Sequence, residues 1–286
     1  MTPLPTCKDL IVILGLAQGT SPYVPRPIQT EAQRGTYMQH YLDDLYSGSG
    51  DHREIVCAEF CAKYLPAAVD RFIDAPIIGA SEGEPLLECF ELFNAMFFVL
   101  MSIYHIPYFT KYMGSRQPVA SRGKHLARII AERMIRFAVF CEQKMENIGM
   151  NEEEYAESLT SALTLLNLLV LVFAKDQIPL SVDMRNGLAR HLLKWMKSSN
   201  RTLRQNSYAV YTSMKTTKSS GAVEDAMRKD LKIRSKCGWP GCTTTVNMKA
   251  CERCHIVCYC SPEHQKAHWN SQEVPAHKPT CFKTEY

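Results

Sequence analysis

Short motifs announce several chemistries, and this sequence lacks them: it has no Gly-x-Ser-x-Gly elbow, no phosphate-binding loop and no His-Glu-x-x-His helix. Serine hydrolysis, nucleotide binding and zinc-protease chemistry lose their usual carriers. His105, His125 and His191 stand alone in helical stretches and read as structural. Strand signals are sparse, which points to an all-α main domain. Charge of one sign does not dominate either. The chain holds 33 Lys and Arg against 29 Asp and Glu, a net charge of +4, and no basic stripe interleaved with aromatics of the kind that tracks nucleic acid. No apolar run is long and clean enough to predict a membrane span. Ser158 to Ala174 runs seventeen residues without charge, but Ser158, Thr160, Ser161, Thr164 and Asn167 interrupt it, and a buried core helix is expected. Leu10 to Ala17 is apolar but short, follows Lys8 and Asp9, and precedes no cleavage site. It is expected to be a core helix or strand, not a secretory signal.

What is present is ordinary for a folded protein. Hydrophobic residues make up 46% and charged residues 22%, too apolar for a disordered chain. With 286 residues, the length suits one large domain and a small appended module. Helical spacing of apolar residues predicts helices over Glu31 to Tyr46, Arg53 to Ile73, Pro85 to Ile106, Arg122 to Asn147, Glu152 to Phe173, Val182 to Lys197 and Leu203 to Met214. Thr30, Ser121, Asn151 and Ser181 stand where helix-capping side chains are needed. No repeat of fixed period is visible, so a bundle and an irregular helical-repeat array are both open. Lys215 to Gly221 reads as a linker, and Ala222 to Ile233 as one more helix. The expected division is a helical domain over 1–214, a linker and helix over 215–236, and a compact module over 237–281.

The twelve cysteines are unevenly spread. Cys7, Cys57, Cys61, Cys89 and Cys141 are scattered, whereas Cys237, Cys242, Cys251, Cys254, Cys258, Cys260 and Cys281 crowd one region with interspersed histidines. Crowding of this kind is a metal signature, and a reducing, intracellular setting, nucleus or cytoplasm, is expected. The spacing is Cys237-x4-Cys242, Cys251-x2-Cys254, Cys260-x3-His264 and His277-x3-Cys281. Each pair is close enough for one turn to aim both side chains at one ion. Zinc takes four N or S donors in a tetrahedron, so two ions would use all eight. Cys258 lies two residues from Cys260 and points the other way in an extended segment. His268 lies four residues from His264 on the same helical face, and His255 reads as a surface residue. On spacing alone, sequential and interleaved pairing of the ligands are both open.

The region resembles the MYND finger. That family's pattern runs through a Cys-x2-Cys pair, a Tyr-Cys-Ser step, a ligand followed by Gln, a Trp four residues beyond that Gln, and a final His-x3-Cys. Here these are Cys251 and Cys254, Tyr259-Cys260-Ser261, His264-Gln265, Trp269, and His277 with Cys281. The resemblance implies interleaving: Cys237, Cys242, Cys260 and His264 on one zinc, Cys251, Cys254, His277 and Cys281 on the other. It selects Cys260 over Cys258 and His264 over His268. The sequence departs from the pattern in three places. His264 replaces the usual cysteine, the first pair is spaced by four residues, and seven residues, Asn270 to Ala276, separate Trp269 from His277.

Four protein ligands per ion leave no open position, so both zinc ions are expected to be structural and the protein not an enzyme. The resemblance further implies protein recruitment, with proline-containing segments as ligands and Gln265 and Trp269 on one helical face to grip them. A zinc-dependent adaptor in transcriptional or chromatin regulation is the expected function. A ubiquitin-ligase-type adaptor and a DNA-associated regulator are the alternatives. A SET-type methyltransferase, which some MYND fingers accompany, ranks last, since the Asn-His-Ser-Cys signature is missing. Nucleic acid is not expected as a partner. Residues 227–286 hold ten basic and five acidic side chains, and two ions each bound by three thiolates and an imidazole lower the formal +5 to about +3.

Overall fold

A computed structural model describes residues 4–74, 95–148, 151–172, 179–214 and 236–286. Ten α-helices run through them: α1 (Cys7–Ile13), α2 (Glu31–Ser47), α3 (Gly50–Asp74), α4 (Ala95–Ile103), α5 (Pro107–Gly114), α6 (Leu126–Ile148), α7 (Glu152–Val172), α8 (Val182–Trp195), α9 (Arg201–Met214) and α10 (Pro262–Trp269). One antiparallel pair, β1 (Lys249–Ala250) and β2 (Cys258–Tyr259), sets Lys249 opposite Tyr259 and Ala250 opposite Cys258. The all-α expectation holds.

Local chemistry explains most helix starts. Thr30 accepts from the Gln33 amide at 3.2 Å and Ser181 from the Met184 amide at 3.2 Å. Asn151 accepts from the amides of Glu153 and Glu154, both at 2.9 Å, while the Glu154 carboxylate accepts from the Asn151 amide at 3.1 Å. These bonds satisfy first-turn amides that have no partner inside the helix. Asn200 caps α9 in the same way, through the Leu203 amide at 2.9 Å. Ser121 is a correction. The chain passes through two 3-10 turns, Pro118–Ala120 and Gly123–His125, so α6 begins at Leu126, and Ser121 ends the first of these turns, its amide bonded to Pro118 O at 3.0 Å. The apolar Leu10 segment becomes α1, buried and capped by Thr6, whose hydroxyl accepts from the Asp9 amide. Of the helix expected over Pro85 to Ile106, residues 85–94 lie outside the described residues, and Ala95–Ile103 is helical. The linker at Lys215 to Gly221 and the helix at Ala222 to Ile233 also lie outside them.

α3 is the centre of one half of the molecule, packing against α1, α2, α4, α5 and α6. α7 anchors the other half, against α6 and α9. By length and hydropathy α7 is apolar enough to span a bilayer. Here Leu159, Leu163, Leu165, Leu166, Leu169 and Val170 are wholly buried among protein side chains. Thr164 and Asn167 of the same stretch, and the Thr160 carbonyl, have partners on α9. Asn206 of α9 donates to Thr160 O at 3.2 Å and Thr164 Oγ1 at 2.9 Å, and Ser213 donates to Asn167 Oδ1 at 3.0 Å. Arg133 of α6 is buried against the end of α3. It donates to Phe72 O at 2.7 Å and lies over the Phe72 ring, so its charge meets both a helix C-terminus and an aromatic face.

α5, absent from the sequence expectation, opens at Pro107, where a missing amide hydrogen and a fixed φ suit a first helical residue. Its neighbours include α3, and it carries Tyr108 and Lys111 toward residues 254–284. Through α3 and α5 the helical core and the cysteine-rich region meet.

Candidate metal centre

The first cluster is assembled by a turn, the end of β2 and a helix start. Cys242 donates its amide to Trp239 O at 3.1 Å, closing a turn with Pro240 at its first corner and Gly241 at φ +81° at its second. This is the type II geometry that Pro-Gly favours, and it explains the four-residue spacing of Cys237 and Cys242. The Gly238 amide bonds Cys258 O at 2.8 Å and ties this turn to β2. Beyond β2, Ser261 caps α10 through the His264 amide at 3.3 Å, with Pro262 as the first helical residue. His264 Nδ1 thereby lies 3.2 Å from Cys260 Sγ and 3.6 Å from Cys237 Sγ, and Cys242 Sγ lies 3.7 Å from Cys260 Sγ.

The second cluster is deeper. The His255 amide bonds Cys251 O at 2.8 Å, His255 takes φ +54°, and the Ile256 amide donates to Cys254 Sγ at 3.3 Å. The chain returns along Asn270 to Ala276. The His277 amide then bonds His268 O at 3.1 Å, and a 3-10 turn over Lys278–Thr280 delivers Cys281. Cys251 Sγ lies 3.7 Å from Cys281 Sγ, and Cys254 Sγ 3.4 Å from His277 Nε2.

Within each group of four, every donor atom lies within 4.8 Å of the others. A tetrahedron with zinc–sulfur bonds of about 2.3 Å and zinc–nitrogen bonds of about 2.0 Å has edges of about 3.8 and 3.5 Å. The contacts match those edges and are far longer than a disulfide bond of about 2.05 Å. The donor sets fit two structural zinc ions. Interleaved pairing is what the geometry gives, since each cluster joins a pair from the first half of the region to a pair from the second.

Residues 235–281 match the model of the MYND finger family. This segment is a MYND finger. Comparison of the chain with curated proteins and with solved structures gives no match in either. MYND fingers bind zinc and mediate protein–protein interactions.

Burial and hydrogen bonding set the protonation of the finger's ligands. Desolvation, aided by His268 and Arg253, lowers the His277 pKa to about 4, so the Nε2 lone pair stays available to a metal near neutral pH. Burial raises Cys254 and Cys281, a shift that a bound cation would reverse. Cys242 is half-buried, and bonds from the Thr244 hydroxyl and amide lower it to about 6.

Two of the finger's spare donors, His268 and Cys258, are taken up in its packing. His268 cannot ligate at either nitrogen. Its Nε2 lies 3.1 Å from Pro275 O, which can only accept, so Nε2 carries the hydrogen and Nδ1 accepts from the Tyr259 hydroxyl at 3.0 Å. Cys258 is buried in β2, outside both ligand groups, and His255 is exposed. Gln265 and Trp269 are half-buried one turn apart on α10. Trp269 sets its ring edge-on to the imidazole of His277, centroids 5.9 Å apart, so one side of the indole packs on a ligand. A cleft of about 420 Å³ separates the finger's first turn from the start of α5, lined by His105, Pro107, Thr110, Lys236, Trp239 and Val257 among others. Gln265 and Trp269 lie outside it.

Residues 282–286, beyond the family match, lie against the helices. Phe282 and Thr284 meet Tyr108 and Lys111, and Tyr286 reaches α3. Neither periodicity nor ligand spacing signals Tyr108, Lys111 or Tyr286, because their partners lie 143 to 225 residues away.

Proposed function

We propose that the protein is a non-enzymatic recruiter, in which the MYND finger holds partner proteins through short proline-containing segments and serves transcriptional or chromatin regulation inside the cell. The observation that carries this reading is the coordination count. Each cluster offers four protein donors to its ion, so neither ion has a seat for a reacting water, and the zinc is used for shape. The face left for binding is that of Gln265 and Trp269 on α10, an amide beside an indole whose outer side is solvent-accessible. Such a pair can bond an extended backbone and stack on a proline ring.

The test is titration of a labelled Pro-x-Leu-x-Pro peptide into the full chain. Gln265→Ala and Trp269→Phe are expected to weaken binding at least about tenfold with two zinc ions retained, the loss of one good anchor contact. Cys251→Ser with Cys254→Ser is expected to lose the second ion and the peptide together. Equal affinity in all three variants would reject the recruiting face. A methyl-transfer assay and a salt-dependent gel shift address the enzyme and nucleic-acid classes separately.

A further inference from the structure

The two ligand clusters are not supported alike. The hydrogen bonds found for Cys237, Cys242, Cys260 and His264 stay within the finger. The second cluster is held from outside. Tyr108, buried in α5, accepts from the Phe282 amide at 2.7 Å, and its own hydrogen lies within reach of Thr280 O at 2.9 Å and Phe282 O at 3.1 Å. Thr280 and Phe282 are the two neighbours of the ligand Cys281. One helical turn on, Lys111 donates to the carbonyl of a second ligand, Cys254, at 3.1 Å, and to the Thr284 hydroxyl. Two side chains of one helix therefore fix the backbone of two of the four ligands.

Two physical considerations make this consequential. Cys281 lies at the far end of the Asn270 to Ala276 loop, and closing that loop on the metal carries an entropy cost that an external clamp reduces by ordering Cys281 in advance. A divalent ion with three thiolates and an imidazole also carries a formal charge of −1, which is costly to bury unless a cation stands near it. Lys111 supplies that cation.

We propose that Tyr108 and Lys111 are positioning residues for the zinc ion of the second cluster, so that the helical domain, and not the finger alone, sets how tightly this ion is held. By linkage, the same ion stabilises the packing of α5 against residues 280–286. The inference is independent of which partner the finger recruits.

The experiment uses the full-length zinc-loaded chain and a chelator titration, with ions counted by native mass spectrometry. The two sites are separable because His264 presents Nδ1 and His277 presents Nε2, so long-range proton–nitrogen spectra of the imidazoles identify which histidine is released. Tyr108→Phe and Lys111→Met are each expected to release the His277 ion at about tenfold lower chelator, within the 10–100-fold range for outer-shell partners, with His264 still metallated. Lys111→Arg, which keeps the charge, should recover part of the loss. Release of both ions at the wild-type concentration in both variants would overturn the proposal. So would equal weakening of both ions, since that is the behaviour of a chain merely made less stable. Should Tyr108→Phe misfold by circular dichroism, Lys111→Met alone decides the matter.

Discussion

Tyr286 donates its phenolic hydrogen to the carbonyl oxygen of Cys61 at 2.7 Å, joining the stretch that follows the finger to the middle of α3. Its ring stands edge-on to Tyr112 of α5, centroids 5.1 Å apart, and Lys111 lies over it. The phenol is almost completely buried. Removing only the hydroxyl, as Tyr286→Phe, leaves a buried carbonyl short of one partner and should cost about 1 kcal/mol. Tyr286→Ala also empties the ring's site and should cost about 3–5 kcal/mol. The midpoint of urea unfolding, followed by the helical circular dichroism signal, measures both. Equal midpoints for Tyr286→Ala and the parent would show that this contact is not made in solution.

Gly238 sits between a ligand and a close neighbour. A Cβ added there would fall 2.1 Å from Val257 Cγ1, far inside contact distance. The backbone has little room to retreat, because the Gly238 amide is bonded to Cys258 O at 2.8 Å and Cys237 is committed to the first cluster. Gly238→Ala should therefore displace Cys237, lose zinc from the first cluster and destabilise the finger by about 1–3 kcal/mol, while the helical signal persists. Retention of two ions with an unchanged melting temperature would contradict it.

The helices were legible because most of their information is local. Asn151 with its three following glutamates and Ser181 before Val182 announce caps, and the apolar spacing of α6 to α9 announces buried faces. The finger's ligands were legible because a metal imposes fixed spacings on its donors. The pairing of the clusters was a different matter. Spacing left it open, and it depends on β2 placing Cys260 beside Cys242 while the return loop brings His277 to Cys254. α5 escaped notice because it is only eight residues long and directly follows an apolar run. Its role escaped for a stronger reason: Tyr108 and Lys111 meet partners more than 140 residues along the chain, and no periodicity encodes such a distance.

Asn206 tests how α7 is accommodated. It answers two polar groups of α7, Thr160 O and Thr164 Oγ1, across the α7–α9 interface. Asn206→Ala should cost about 1 kcal/mol, since Thr164 Oγ1 loses its incoming donor while Thr160 O keeps the bond from the Thr164 hydroxyl at 2.9 Å. Chemical denaturation measures the effect. An unaltered midpoint would mean that α7 does not pack on α9 as described.

The eleven cysteines among the described residues should divide into two chemical classes under alkylation. Burial raises Cys7 to about 12, Cys57 to about 11 and Cys141 to about 12, and pushes Cys61 well above its usual value. The thiolate is the nucleophile, so these four should resist iodoacetamide near pH 8 for as long as the helical core is folded. The six ligand cysteines are protected differently, by coordination. A chelator removes that protection and unfolds a module too small to hold itself together, which exposes Cys258 as well. Cys242, only half-buried and lowered to about 6, should react first. Peptide mass mapping after chelation is thus expected to find Cys237, Cys242, Cys251, Cys254, Cys258, Cys260 and Cys281 modified, with Cys7, Cys57, Cys61 and Cys141 untouched. Modification of the ligand cysteines at the same rate before and after chelation would remove the case for bound zinc. Simultaneous labelling of the four core cysteines would show instead that the helices do not outlast the finger.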